Sequence, residues 1–183
     1  MRLMSGAAVA AVTAGSVLLV SGVASAAPSA GTLGFDTITP AEGSDTEPMS
    51  SRTSAPCPSG SEAADLTITG PVGADPATAT FPATNPYPLT TIDGIQFSTT
   101  GPFVQQFRKV LRDAAAERGK TIQTGEYNLT THCMDQFGFT VFGTFTAGLN
   151  FDTPTHYTVI PSSTPGPTPT PTPTPTSEPT PTP

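Results

Sequence analysis

The chain contains no tryptophan, three tyrosines and two cysteines among 183 residues. Sugar platforms are usually built on exposed Trp or Tyr, so this shortage counts against a carbohydrate-binding surface. Cations are also scarce. Seven Lys and Arg face fourteen Asp and Glu, giving a formal net charge of −7. That balance argues against nucleic-acid binding, which needs cations to neutralise phosphates, and against electrostatic docking on anionic lipid. Catalytic signatures are missing as well. No G-x-S-x-G, H-E-x-x-H or S-x-x-K pattern occurs, and neither histidine lies in a nucleophile-like motif. Beyond the N-terminus no apolar run is long enough for a membrane helix, which wants roughly 20 residues.

What is present begins with MRLMSGAAVAAVTAGSVLLVSGVASAAPSA. One cation, Arg2, precedes an apolar run from Ala7 to Val20, and Ala24-Ser25-Ala26 fits the small-x-small cleavage rule. Residues 1–26 therefore read as a secretory signal peptide, cut between Ala26 and Ala27. The other end, TPGPTPTPTPTPTSEPTPTP, cannot build a core. Alternating Thr and Pro favours extended polyproline II, so residues 161–183 read as a disordered stalk. About 20 residues at roughly 3.1 Å each reach about 60 Å. No wall-sorting signal or hydrophobic anchor is expected after it.

Between these lie about 135 residues, the size of one domain. In an exported chain Cys57 and Cys133 are most simply a disulfide. It closes a loop of about 77 residues, for which chain entropy gives roughly 4–5 kcal/mol.

Period-two alternation dominates 27–160. GTLGFDTITPAEG predicts a first strand with Leu33, Phe35 and Thr37 on one face. ADLTITGP alternates Leu66 and Ile68 against Thr67 and Thr69. ATATF reads as a short edge strand, and GIQFS follows the Asp93-Gly94 turn signal. In GEYNLTTHC, Tyr127, Leu129, Thr131 and Cys133 share one face. In FTVFGTFTAGLNF, Phe139, Val141, Phe145, Leu149 and Phe151 fall on one side. One segment breaks the pattern. GPFVQQFRKVLRDAAAERGK sets Phe103, Phe107, Val110, Leu111 and Ala114 at helical spacing, with Pro102 at the first position and Gly119 as the stop. About seven short strands and one inserted helix make an all-β profile, that of an antiparallel β-sandwich.

The layout resembles secreted actinobacterial proteins that carry a bacterial immunoglobulin-like domain. The resemblance rests on ITPAEGSDTEPMSSRTSAPCPSG, FRKVLRDAAAERG and TGEYNLTTHCMDQFGFTVFGTFTAGLNF, and covers Gly31 to Phe151. It implies an immunoglobulin-like sandwich. The chain departs from antibody-type domains in having no core Trp. Tyr127 also stands six residues before Cys133 rather than two, so the spacing gives no ground to assume a tyrosine corner.

His132, Cys133, Met134 and His156 include every ligand type of a blue-copper centre. Successive strand residues point to opposite faces, which sets His132 and Met134 away from Cys133, so no metal or cofactor is expected. The acidic pairs Asp36/Glu42 and Asp45/Glu47 read as solvated loop charges. Five of the six cations after the signal lie between Arg108 and Lys120. Arg108, Lys109 and Arg112 are thus the candidate face for an acidic partner such as a wall polymer or another surface protein. The plainer reading is a solvent face with pairs such as Lys109/Asp113. The expectation is a non-catalytic, secreted or cell-surface binding and display module. A carbohydrate-binding accessory module and a secreted enzyme of unrecognised type remain the alternatives.

Overall fold

Strict alternation builds the longest strands. β7 (Gly125–Met134) buries Tyr127, Leu129, Thr131 and Cys133, and β8 (Val141–Thr153) buries Phe145, Ala147, Leu149 and Phe151. They form one hairpin, Gly125 opposite Phe151 at the open end and Cys133 opposite Gly143 near the tip. β4 (Ala63–Thr69) lies antiparallel on the other side of β7 and adds Ala64, Leu66 and Ile68 to the same face. These strands come from the computed structural model, which describes residues 31–92 and 96–161. The signal peptide with its Ala26/Ala27 cut, the Asp93-Gly94 turn with Ile95, and the stalk from residue 162 lie outside the described residues.

β1 (Gly31–Thr39) joins two ladders. Gly31 to Phe35 pair parallel with β8, and Asp36 to Thr39 pair antiparallel with β3 (Ser50–Thr53). β3 in turn pairs with β6 (Val104–Gln106), while β5 (Tyr87–Pro88) edges β4. β9 (His156–Ile160) returns along β8 and carries the short β2 (Glu42–Ser44). The main order is β5-β4-β7-β8-β1-β3-β6. The fold is mostly β, and the sheet is mixed where an antiparallel arrangement was expected. A parallel pair needs a long connection between its strands, and residues 40–140 supply it.

The sheet is curled. β6 stands four places from β7 in the strand order, yet Gln105 of β6 touches Thr131 of β7. Ile38 and Met49 share one apolar cluster with Leu66, Leu129 and Leu149. A smaller cluster holds Cys57, Ala64, Phe103, Cys133 and Phe145.

The helix is shorter than the spacing predicted. α1 covers Leu111–Glu117, and Leu111, Ala114 and Ala115 pack onto the large cluster. Residues 103–107 form the β6 region instead. Phe103, Gln105 and Phe107 fit a period of two as well as Phe103 and Phe107 fit a helical turn. The open edge of β3 decides between them: Thr53 N–H donates to Phe103 O, and Phe107 N–H donates to Met49 O. Gly119 ends the helix as expected, at φ +64°, a conformation that suits glycine. ATATF contributes a single bridge, Phe81 to Gly70, rather than a strand.

One face is reversed from the alternation, and one expected strand residue lies outside its strand. In β1, Asp36 and Ile38 point inward, while Leu33 is exposed and Phe35 half-buried. Phe139 lies outside the sheet because Asp135 holds the hairpin tip in a turn, and β8 begins only at Val141.

Candidate functional site

Cys57 and Cys133 form a disulfide with Cα atoms 5.6 Å apart, and both residues are buried. Cys133 lies on β7, and Cys57 follows β3, so the bond closes the curl at the smaller apolar cluster. Its sulfur is therefore not offered to a metal. His132 faces the opposite side of β7 and contacts Asp65 directly across the ladder, Nδ1 to Oδ1 2.8 Å. His156 contacts Asp152 at the same distance. The four residues of the copper-like set are not brought together.

Two of the three cations of the expected face, Lys109 and Arg112, are paired with carboxylates. Arg112 donates from Nε and Nη2 to both oxygens of Asp45, at 3.0 and 2.9 Å. Asp45 is buried, contrary to its reading as a solvated loop charge. Such a two-pronged pair fixes the loop after β2 against α1. Lys109 pairs with Glu117 rather than Asp113. Arg108 borders a hollow of about 210 Å³ that Tyr87, Leu89 and Glu117 also line. The Tyr87 hydroxyl donates to Glu117, and the Arg118 guanidinium lies 5.4 Å from the Tyr87 ring centre. Arg118 and Lys120 donate to the backbone carbonyls of Pro86 and Ala77 rather than to carboxylates.

Tyr127 shows a feature that the spacing did not predict. Its hydroxyl accepts a hydrogen bond from Gln123 N–H at 3.0 Å and lies 2.9 Å from Gln123 O. Burial raises its pKa, against the hydrogen bonds to Thr80 and Gln123. A Tyr at the start of a strand that bonds its own backbone a few residues upstream is the device of a tyrosine corner.

Among the described residues the most exposed apolar feature is the tip of the β7–β8 hairpin. Phe137 is 72% and Phe139 87% exposed. Their rings stack with centres 6.3 Å apart and planes 26° from parallel. Asp135 braces the turn beneath them. Its Oδ1 accepts from Phe137 and Phe139 N–H, and its Oδ2 from Thr140 N–H. Partial burial pushes the Asp135 carboxyl up, but these donors prevail and hold it below its ordinary range. Glu62 accepts from Gln136 N–H on one flank. Between the two Phe, Gly138 turns at φ +74°, and a side chain there would meet Ile92, itself half exposed. Two exposed rings on a hydrogen-bonded turn, beside a third apolar residue, form a surface patch of the kind that marks interaction sites. The period-two reading missed it because it carried the strand through Phe139. The signal was the Asp135 turn followed by F-G-F, in which Gly138 interrupts the strand.

No protein-family model matches the chain, and no curated protein or solved structure is significantly similar to it. Among the described residues no helix is long and apolar enough to cross a membrane.

Proposed function

We propose that the chain is a non-catalytic binding and display module, exported by cleavage after Ala26 and carried on the Pro/Thr stalk of residues 161–183. Its domain is read as an immunoglobulin-like sandwich of secreted, actinobacterial type. The two ladders joined by β1, the sulfur link between them and the Tyr127 back-bond support that reading. The observation that carries the binding role is the exposed Phe137/Phe139 pair. Exposing two phenylalanines is unfavourable in water, and burying them against a partner removes that cost.

The partner is another surface protein with an apolar socket and a basic rim. Glu62 and Asp135 flank the rings, and the whole chain is acidic, which complements such a rim and repels anionic polymers and lipids. A photo-crosslinking residue at position 137, displayed on native cells, tests this. The expected result is one discrete protein adduct, lost in a chain carrying the crosslinker at 137 and Phe139→Ser but of unchanged thermal stability. Retention of the chain on neutral wall polysaccharide, with loss of that retention in Phe137→Ser/Phe139→Ser, selects the carbohydrate-binding alternative instead. Equal labelling of many surface proteins, with or without Phe139, contradicts a specific site.

A further inference from the structure

The curl brings a hydroxyl, a side-chain amide and a carboxyl together in the interior. Thr131 of β7 is fully buried, Gln105 of β6 is 2% exposed and Asp36 of β1 is 4% exposed. Thr131 Oγ1 lies 2.6 Å from Asp36 Oδ2 and 3.2 Å from Gln105 Oε1. A threonine hydroxyl has one proton, and the shorter contact to the charged acceptor takes it. The oxygen lone pairs are then left beside the amide. A carbonyl bond is about 1.23 Å, so Gln105 Cδ lies within about 4.4 Å of Thr131 Oγ1.

A polar link evolved only for stability would be fully satisfied. This one is not. Asp36 Oδ1 and Ser51 Oγ are buried and neither makes a hydrogen bond of good geometry, although the Ser51 hydroxyl lies near enough to Asp36 to draw its pKa down. Orphaned atoms of that kind call for an explanation, and a reaction centre is one. Ser51 stands directly opposite Gln105 in the β3–β6 ladder and is buried, so the two side chains share a face.

We propose that Thr131 and Gln105 condense into an intramolecular ester, with Asp36 as the general base. Asp36 takes the Thr131 hydroxyl proton as Oγ1 adds to Gln105 Cδ. Ser51 donates a hydrogen bond to the developing oxyanion. The tetrahedral centre collapses, the Cδ–Nε2 bond breaks, and the nitrogen leaves as ammonia with the proton returned from Asp36. One C–O bond forms, one C–N bond is lost, nothing is oxidised or reduced, and the carboxylate is regenerated. Threonine is a weak nucleophile until a base adjoins it. Burial lifts the Asp36 carboxyl above its ordinary pKa, against the pull of the Thr131 and Ser51 hydroxyls, and so strengthens it as a base. Exclusion of water protects the product from hydrolysis. The ester would tie β6 to β7 two residues from Cys133, on the same inward face of β7, as a second covalent closure of the curl that reductants cannot open.

The test is a tryptic digest of the full chain after reduction and alkylation. Cleavage after Arg52, Arg108 and Lys120 places Gln105 in residues 53–108 and Thr131 in residues 121–183. The expected result is that these segments stay joined, lighter than their sum by one ammonia, and that hydroxylamine separates them. Thr131→Val gives separate segments. Asp36→Asn slows linkage by about a hundredfold or more, read as the linked fraction over time after refolding. The unmutated chain alone decides the matter if a variant does not fold. Segments that separate on reduction, with Gln105 and Thr131 intact, overturn the proposal. Linkage of Asp36→Asn at the normal rate overturns the role of Asp36.

Discussion

One hairpin uses phenylalanine in two opposite ways. In its body Phe145 and Phe151 are 0% and 1% exposed, Phe145 edge-on to Phe103 and Phe151 edge-on to Tyr127. At its tip Phe137 and Phe139 stand in solvent. Composition does not separate the two pairs, and hydrophobicity does not either. The difference lies in what the backbone is doing. Where β7 and β8 are in register, alternation turns every second side chain into the curl. Where Asp135 gathers the tip amides, the ladder stops and the rings stack on each other at the surface.

Substitutions in the two regions should therefore differ widely, and the largest effect belongs to the body. Phe151→Ala empties space in the main cluster, shared with Tyr127 and Tyr157. It is expected to cost about 3–5 kcal/mol, measured by denaturant unfolding. A cost near that of a surface change would show that Phe151 is not a core residue.

Next is the sulfur link. Replacing both Cys57 and Cys133 by alanine is expected to cost about 2–5 kcal/mol. The smaller apolar cluster should suffer first, seen as faster amide exchange near Ala64 and Cys133 than near Ile68 and Leu129, which lie on the same two strands but in the large cluster. Uniform loss along both strands would mean that the two clusters are not separable.

Alkali probes the body by another route. Burial, with the Glu47 charge adding to it, pushes the Tyr157 hydroxyl up to about 12. The folded value lies above the unfolded one, near 10. The neutral phenol thus contributes stability that is fully present below about pH 10 and is lost as pH rises towards the folded value. Absorbance titration should show one tyrosine ionising near pH 12, and Tyr157→Phe should remove that step.

The smallest effect is expected at the tip. Phe137→Ser/Phe139→Ser should leave stability within about 0.5 kcal/mol of the parent, the range of ordinary surface changes. A loss of several kcal/mol would mean that the rings are structural and would erase the contrast with the body.

The hairpin body was legible in the sequence because Tyr127 to Cys133 and Phe145 to Phe151 alternate without interruption. The cysteine pair was legible from the count of two and the signal-like N-terminus. The phase of β1 was not. Leu33 and Phe35 are the more apolar set, yet the strand crosses between ladders at Asp36, and the neighbours there are Thr131, Gln105 and Ser51 rather than apolar side chains. No single-sequence pattern announces a polar centre assembled from four distant strands. The helix start failed for a related reason. Phe103 and Phe107 satisfy two periodicities, and the exposed edge of β3, a tertiary fact, chose between them. The tip was missed although its signal was present, since Asp135 and Gly138 are turn residues set inside an otherwise regular strand pattern.

The account depends most on the curl, which brings β6 over β7 although three strands separate them in the sheet. The direct measurement is a proton–proton contact in solution between the Gln105 side-chain methylenes and the Thr131 methyl. Neither group is altered by ester formation, so the contact is expected with or without that bond. Its absence, with the Cys57–Cys133 bond intact, would contradict the fold and the covalent chemistry inferred from it.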